Sequence, residues 1–228
     1  MMKNYIDKLF FRFNKNKLDE IYGVYNKQKI KKINLLLNMG RFEEILPLNK
    51  STQDRLPYYL QFFKKIFAIT GKPNSIIDLA CGLNPLAFPF MGLEKINYLA
   101  MDISPDSVRV VNQYFKKNRI KGKAKIIDLR KAIDLRKNIF LVKADICFLF
   151  EFIDLVGLAV DKKMFESINC PWIVVTFPRT IKQDDLRFQR KIDFEDSFDK
   201  IIFRSFLLGK EKVYILNKNL YKQTTILA

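Results

Sequence analysis

Three aspartates, Asp78, Asp102 and Asp128, each close a short apolar run, and the first is followed by a small-residue turn, Leu79-Ala80-Cys81-Gly82-Leu83-Asn84-Pro85. In an open parallel sheet the carboxyl ends of the strands line the ligand crevice, so acids placed there share one site. An acid after a second strand accepts hydrogen bonds from both hydroxyls of a ribose. An acid after a third strand meets the amino group of an adenine. Asp78 is placed to take up a cationic group, and Gly82 lets the backbone approach a ligand closely. The full G-x-G-x-x-G pattern is absent. A dinucleotide enzyme would share the first two acids; the third, with the single-glycine turn, points to S-adenosylmethionine, whose amino group suits Asp78. Ala80 in the turn, Ile103 after Asp102 and Leu129 after Asp128 complete the expected cofactor set. The bland alternative is a strand–turn–helix that binds nothing, with acids that merely end strands.

The elements that must carry these residues are legible as alternating strands and helices, the pattern of a Rossmann-like, doubly wound, mostly parallel α/β sheet. Strands are expected over residues 75–79, 96–101, 123–127, 144–149 and 171–177. Leu86-Ala87-Phe88 is expected to open a helix after the first turn. Ser104-Pro105 starts another, with Ser at the cap and Pro at the first position, running to about Asn118. A further helix is expected over 161–168, and a closing antiparallel pair over 204–207 and 213–217 around Gly209. Upstream, residues 1–40 look helical, ending at Asn38-Met39-Gly40. A helix from about Gln53 to Ile69, capped by Ser51 or Thr52 with Asp54 in its first turn, presents Tyr59, Phe62, Phe63, Ile66 and Phe67 to a core. Gly71-Lys72-Pro73 divides the chain into a basic helical extension, residues 1–73, and a cofactor-binding domain, residues 74–228.

Composition limits the chemistry. Hydrophobic residues make up 49% of the 228-residue chain, enough for a packed core. The formal net charge of +17 favours a polyanionic partner, nucleic acid above all. Residues 1–73 hold fifteen Lys/Arg against six Asp/Glu, over half of that excess. There is no histidine, which removes Ser-His-Asp and Cys-His catalysis and every His-containing metal site. Cys81, Cys147 and Cys170 lack ligand spacing and read as reduced small hydrophobes, so no metal is expected. No signal-peptide core or membrane-length apolar stretch is seen, and a cytoplasmic protein is expected.

Two stretches resemble one known family. Asp78-Leu79-Ala80-Cys81-Gly82-Leu83-Asn84-Pro85-Leu86-Ala87 looks like the first motif of the aminoglycoside-resistance 16S ribosomal RNA (guanine-N7) methyltransferases, and Ser51-Thr52-Gln53-Asp54-Arg55-Leu56-Pro57-Tyr58-Tyr59 resembles that family's Ser-Thr-x-Glu-Arg-Leu-Pro segment. Asp128-Leu129, Ala144-Asp145 and Thr176-Phe177-Pro178 resemble its later motifs. The resemblance covers about residues 49–218. It implies a class I methyltransferase sheet, an N-terminal extension that grips the small ribosomal subunit, and contact between Arg55 and the cofactor's carboxylate. The chain departs from the pattern at Asn49, where members commonly have His, at Glu151, where they commonly have Lys, and after Pro178, where a Gly-Arg-rich stretch is replaced by residues 179–185.

The resulting expectation is an S-adenosylmethionine-dependent methyltransferase of small-subunit ribosomal RNA, acting as a monomer. Guanine N7 has a free lone pair, so its methylation needs orientation and no general base, and the lack of histidine is no obstacle. Phe177 is the candidate to stack on an extruded base. Lys27, Lys29, Lys31 and Lys32, with Arg187 and Arg190, are candidate RNA contacts, as is the run from Lys116 to Lys125, with six positive charges in ten residues. The alternatives are a methyltransferase of another RNA position or of a small molecule, and a non-catalytic ribosome-binding factor that kept the fold.

Overall fold

The computed structural model describes residues 27–129, 142–151, 165, 167–182 and 185–220. The expected helical stretch over 1–26 and most of the helix over 161–168 lie outside the described residues. Helices α1 (Lys27–Met39), α2 (Lys50–Arg55) and α3 (Tyr59–Thr70) precede the first strand; α4 (Pro105–Lys117) and α5 (Leu186–Phe198) follow within the sheet region. The strands are β1 (Ser75–Leu79), β2 (Asn97–Asp102), β3 (Gly122–Ile126), β4 (Ile146–Phe150), β5 (Trp172–Pro178), β6 (Ile202–Leu208) and β7 (Glu211–Asn217).

They form one seven-stranded sheet in the order β3-β2-β1-β4-β5-β7-β6. β1 pairs in parallel with β2 on one side and β4 on the other, while β7 runs antiparallel to β5 and β6. The strand order therefore reverses between β1 and β4, the place where open sheets of this kind bind ligands. β1, β4 and β5 are central strands covered on both faces, which is why they read as unbroken apolar runs rather than alternating ones.

The two faces carry separate cores. On one, Ile33, Leu36 and Leu37 of α1 and Phe62, Phe63 and Ile66 of α3 pack with α4 and with Ile76, Ala100 and Phe148 of the sheet. On the other, Phe194 and Phe198 of α5 pack on Ile77, Cys147, Val175, Phe177 and Tyr214. The helices before residue 73 thus share a core with the sheet. α1 ends as expected, with Gly40 at φ +73° and the Gly40 and Arg41 amides on the carbonyls of Leu37 and Leu36. α4 starts as expected, with Ser104 Oγ accepting from the Ser107 amide at 3.3 Å and Pro105 in first position. Among the described residues no helix is long and apolar enough to cross a membrane.

Two expectations fail locally. The helix predicted over 53–69 is broken into α2 and α3 by a tight turn, Leu56–Tyr58, with Pro57 inside it. Its cap is Asn49, whose side chain accepts from the Ser51 amide at 3.1 Å, while the Thr52 hydroxyl donates to the Leu46 carbonyl and Asp54 pairs with lysines instead of facing a helix dipole. After β1 the chain makes an irregular tight-helical stretch, Asn84–Met91, in which Pro85 and Pro89 preclude a regular α-helix.

The candidate cofactor crevice

Both strands at the switch point end in a left-handed residue that is not glycine: Ala80 after β1 at φ +53° and Glu151 after β4 at φ +53°. Such residues cost on the order of 1–3 kcal/mol and persist only where the surroundings hold them. Glu151 is held by its own N–H, which donates to the Thr176 carbonyl at 3.2 Å and the Thr176 hydroxyl at 3.0 Å. Gly82 follows at φ +50°, half-buried beside Asn49.

Asp102 fixes this turn from β2. Its Oδ2 accepts from the Gly82 amide at 2.7 Å and its Oδ1 from the Ser104 amide at 2.8 Å. Burial pushes its carboxyl above the ordinary range, and these amides pull against that rise. Each carboxylate oxygen accepts two hydrogen bonds, so both retain capacity for the two hydroxyls of a ribose. Ile103 beside it and Asp128 after β3 are half-buried at the same edge, and Leu129 is buried in the core behind. This donor and acceptor set fits an adenosine laid across the ends of β2 and β3.

Asp78 does not reach the crevice, contrary to expectation. It is 1% exposed, and its Oδ2 takes hydrogen bonds from Asn84 Nδ2 at 2.8 Å and from the Tyr98 hydroxyl at 2.7 Å. Burial lifts its carboxyl to about 7, against the lowering pull of Asn84 and Tyr98. Asp78 therefore shapes the turn from beneath. Tyr59 extends the chain of contacts, its hydroxyl donating to Asn84 Oδ1 at 3.3 Å.

Phe177 is also corrected. It is fully buried, packed on Phe194 and Tyr214, so its ring is a core aromatic with no face presented to a base. Cys81, Cys147 and Cys170 are free and buried.

The segment over residues 49–59 lies over the carboxyl edge of the sheet, where sequence spacing alone gave it no place. Arg55 is 4% exposed and donates from Nε and Nη2 to the two carboxylate oxygens of Glu211, at 3.0 and 2.6 Å. Its Nη2 is also 3.6 Å from Glu151, and its guanidinium lies against the rings of Phe150, Phe62 and Tyr59. Burial disfavours the charge, but Glu211, with Tyr59 and Glu151 behind it, holds Arg55 firmly protonated. One residue out on each chain, Asp54 pairs with Lys210 at 2.9 Å. Neither Glu211 nor Glu151 was among the expected site residues; the one signal was the departure from Lys at 151.

The expected RNA contacts are dispersed. Lys27, Lys31 and Lys32 stand exposed on α1 and Lys29 is half-buried there. Arg187 pairs with Asp185, the cap of α5, through its Nε at 2.8 Å, and Arg190 is half-buried. Lys117 donates to the carbonyls of Leu37 and Asn38, tying α4 to α1.

Comparison with known proteins agrees with this geometry. The profile described as "Ribosomal RNA methyltransferase (FmrO)" matches residues 40–199. A 16S rRNA (guanine(1405)-N(7))-methyltransferase from Micromonospora rosea is 27% identical over 184 residues, 76% of this chain and 64% of that one. Its namesake from Micromonospora echinospora is 31% identical over 58% of this chain and 48% of that one. The chain thus spans less than two thirds of these curated relatives. The crystal structure of the 16S rRNA methyltransferase RmtF in complex with S-adenosyl-L-homocysteine superposes with a TM-score of 0.70 at 26% identity, over 94% of this chain and 89% of that one.

Two outcomes follow from the buried charges. Arg55→Ala and Glu211→Ala each leave a buried charge unpaired and should each destabilise the protein by about 3–5 kcal/mol. Arg55→Met with Glu211→Leu should cost far less than the two losses summed; urea unfolding checks this, and additive losses would refute the pairing. Asp78 has a folded-state pKa raised above its unfolded value, so its contribution to stability is full at low pH and is lost as pH rises through about 7. Asp78→Asn should therefore leave stability little changed at pH 5 and raise it at pH 8, by on the order of 2–4 kcal/mol relative to the wild type. Thermal melts across that range test it, and a parallel pair of curves would count against it.

Proposed function

The chain belongs to the ribosomal RNA methyltransferase (FmrO) family, and from that membership and the crevice chemistry we propose that it is an S-adenosylmethionine-dependent methyltransferase acting on guanine N7 of 16S ribosomal RNA in the small subunit. The observation that carries the reading is the Asp102–Gly82 contact at 2.7 Å, which draws the turn after β1 against an acid with acceptor capacity for a ribose. It is supported by the relatives' names and by the cofactor product bound to RmtF.

When bound, the cofactor supplies an electrophilic methyl group. The protein's part is positional. Asp102 holds the ribose, Asp128 meets the adenine amino group, and Ala80, Gly82, Ile103 and Leu129 wall the pocket. The segment over residues 49–59, clasped by Arg55 and Glu211, covers the methionine end. The Arg55 edge that its bonds to Glu211 leave over, at Nη1, is where the family resemblance puts the cofactor's carboxylate. Guanine N7 presents its own lone pair, so the chain has only to hold it in line with the methyl and keep water out. The absence of histidine fits a reaction that abstracts no proton.

RNA binding is assigned to the basic surface. The helical extension, residues 1–73, holds over half of the positive excess, and Lys27, Lys29, Lys31 and Lys32 lie on α1 within it. Arg187 and Arg190 lie on α5, after β5. We take residues 74–228 as the cofactor-binding unit.

Asp102→Ala removes the acceptors for both ribose hydroxyls and should weaken S-adenosylmethionine binding by about 2–4 kcal/mol, roughly 30- to 1,000-fold. Calorimetry on the folded variant tests this, and an unchanged dissociation constant would remove Asp102 from the site. Incubating wild type with labelled cofactor and intact small subunits should place one methyl group on a guanine N7 of 16S RNA. Transfer to another atom, or to a small molecule alone, would overturn the substrate.

A further inference from the structure

A methionine tail carries an ammonium as well as a carboxylate, and the acid expected to receive the ammonium, Asp78, is sealed beneath Asn84 and Tyr98. Another acid stands at the same edge. Glu151 ends β4, and β4 is β1's neighbour, with Asp78 opposite Phe148 in the register. Three residues on from that pair, Glu151 lies about one strand spacing, roughly 5 Å, from the turn after β1. Its side chain is 26% exposed, while Arg55 and Glu211 beside it are 3% and 8% exposed. It is thus the acid of this trio that meets the crevice.

The charges around it are uneven. Glu211 satisfies Arg55 bidentately, and Glu151 lies 3.6 Å from the same guanidinium. Among the described residues here, two carboxylates share one cation. A half-buried carboxylate in surplus to its pairing favours a cationic partner. The backbone enforces the placement, since Glu151 is left-handed at φ +53° and its N–H is anchored on Thr176.

We infer that Glu151 receives the α-ammonium of the cofactor's methionine tail, an inference that rests on the cofactor reading above. Adenosine lies over β2 and β3 through Asp102 and Asp128, the tail runs across the end of β1, and its ammonium meets the carboxylate at the end of β4. Arg55, held by Glu211, completes a site with both charges for a zwitterion. A lysine at 151 would repel the ammonium, so the departure from the family pattern changes how this chain holds its cofactor.

The test measures binding, without RNA. Wild type is titrated by calorimetry with S-adenosylmethionine and with 5′-methylthioadenosine, which keeps the adenosine and sulfur and lacks the amino-acid tail. Glu151→Gln, nearly the same in shape, should weaken S-adenosylmethionine binding roughly 10-fold or more, the range of a charge-assisted hydrogen bond, and leave methylthioadenosine within about twofold. Glu151→Asp, which keeps the charge one methylene further back, should fall between. Equal losses for both ligands would show that Glu151 acts only through the packing of Arg55 and would overturn the inference, as would an unchanged affinity for S-adenosylmethionine. If wild type binds methylthioadenosine and S-adenosylmethionine equally well, the tail is not held at all and the inference falls while the cofactor reading stands. If wild type binds neither, the cofactor reading falls and takes the inference with it.

Discussion

A guanidinium and a carboxylate 156 positions apart meet in the interior, and the crevice depends on that meeting. Arg55 reaches from the helical segment before the sheet; Glu211 opens β7 opposite Pro178, the last residue of β5. Desolvating such a pair costs several kcal/mol per ion unless the geometry is excellent. Here it is bidentate, faced by aromatic rings, and flanked by a solvent-exposed pair, Asp54 with Lys210. Its effect is specificity of place. It holds residues 49–59 over the carboxyl ends of β1 and β4 and so converts an open sheet edge into a covered crevice.

The same clasp explains why the segment breaks where it does. α2 must end early enough for Arg55 to turn inward, and α3 must begin with Tyr59 aimed at Asn84. The Leu56–Tyr58 turn joins the two. Gly209, in the β6–β7 hairpin, closes the contact from the other side, since a Cβ there would stand 2.5 Å from the Tyr58 ring. From Arg55 through Tyr59 and Asn84 to Asp78, buried polar side chains run from the helical extension to the turn that faces the cofactor. An extension that meets RNA and a crevice that holds cofactor are therefore parts of one packed unit.

The strands were legible because β1, β4 and β5 are buried on both faces and had to be apolar throughout, and because Ser104-Pro105 and Gly40 mark helix ends by local chemistry alone. Asp102 was legible for the same reason, since its role follows from ending the second strand. What depends on distant partners was not. Asp78 ends its strand as Asp102 does, yet Tyr98 from the neighbouring strand and Asn84 from the following turn close over it. Phe177 looked like an aromatic at a strand's rim, and only the packing of α5 shows it to be core. Glu211 carried no local signal, because its partner lies in the extension. Pro57 did mark the break in the helix over 53–69, but apolar spacing on both sides of it masked the turn.

The central claim is that cofactor binding and the clasped segment are one structural event. Backbone amide hydrogen exchange with and without S-adenosylhomocysteine tests it most directly, because exchange reads local opening residue by residue. The account predicts slowed exchange at Gly82, Ile103 and Ser104 together with residues 49–59 and the first residues of β7. Protection confined to the turn after β1 and the end of β2, with the segment over 49–59 exchanging as before, would contradict it.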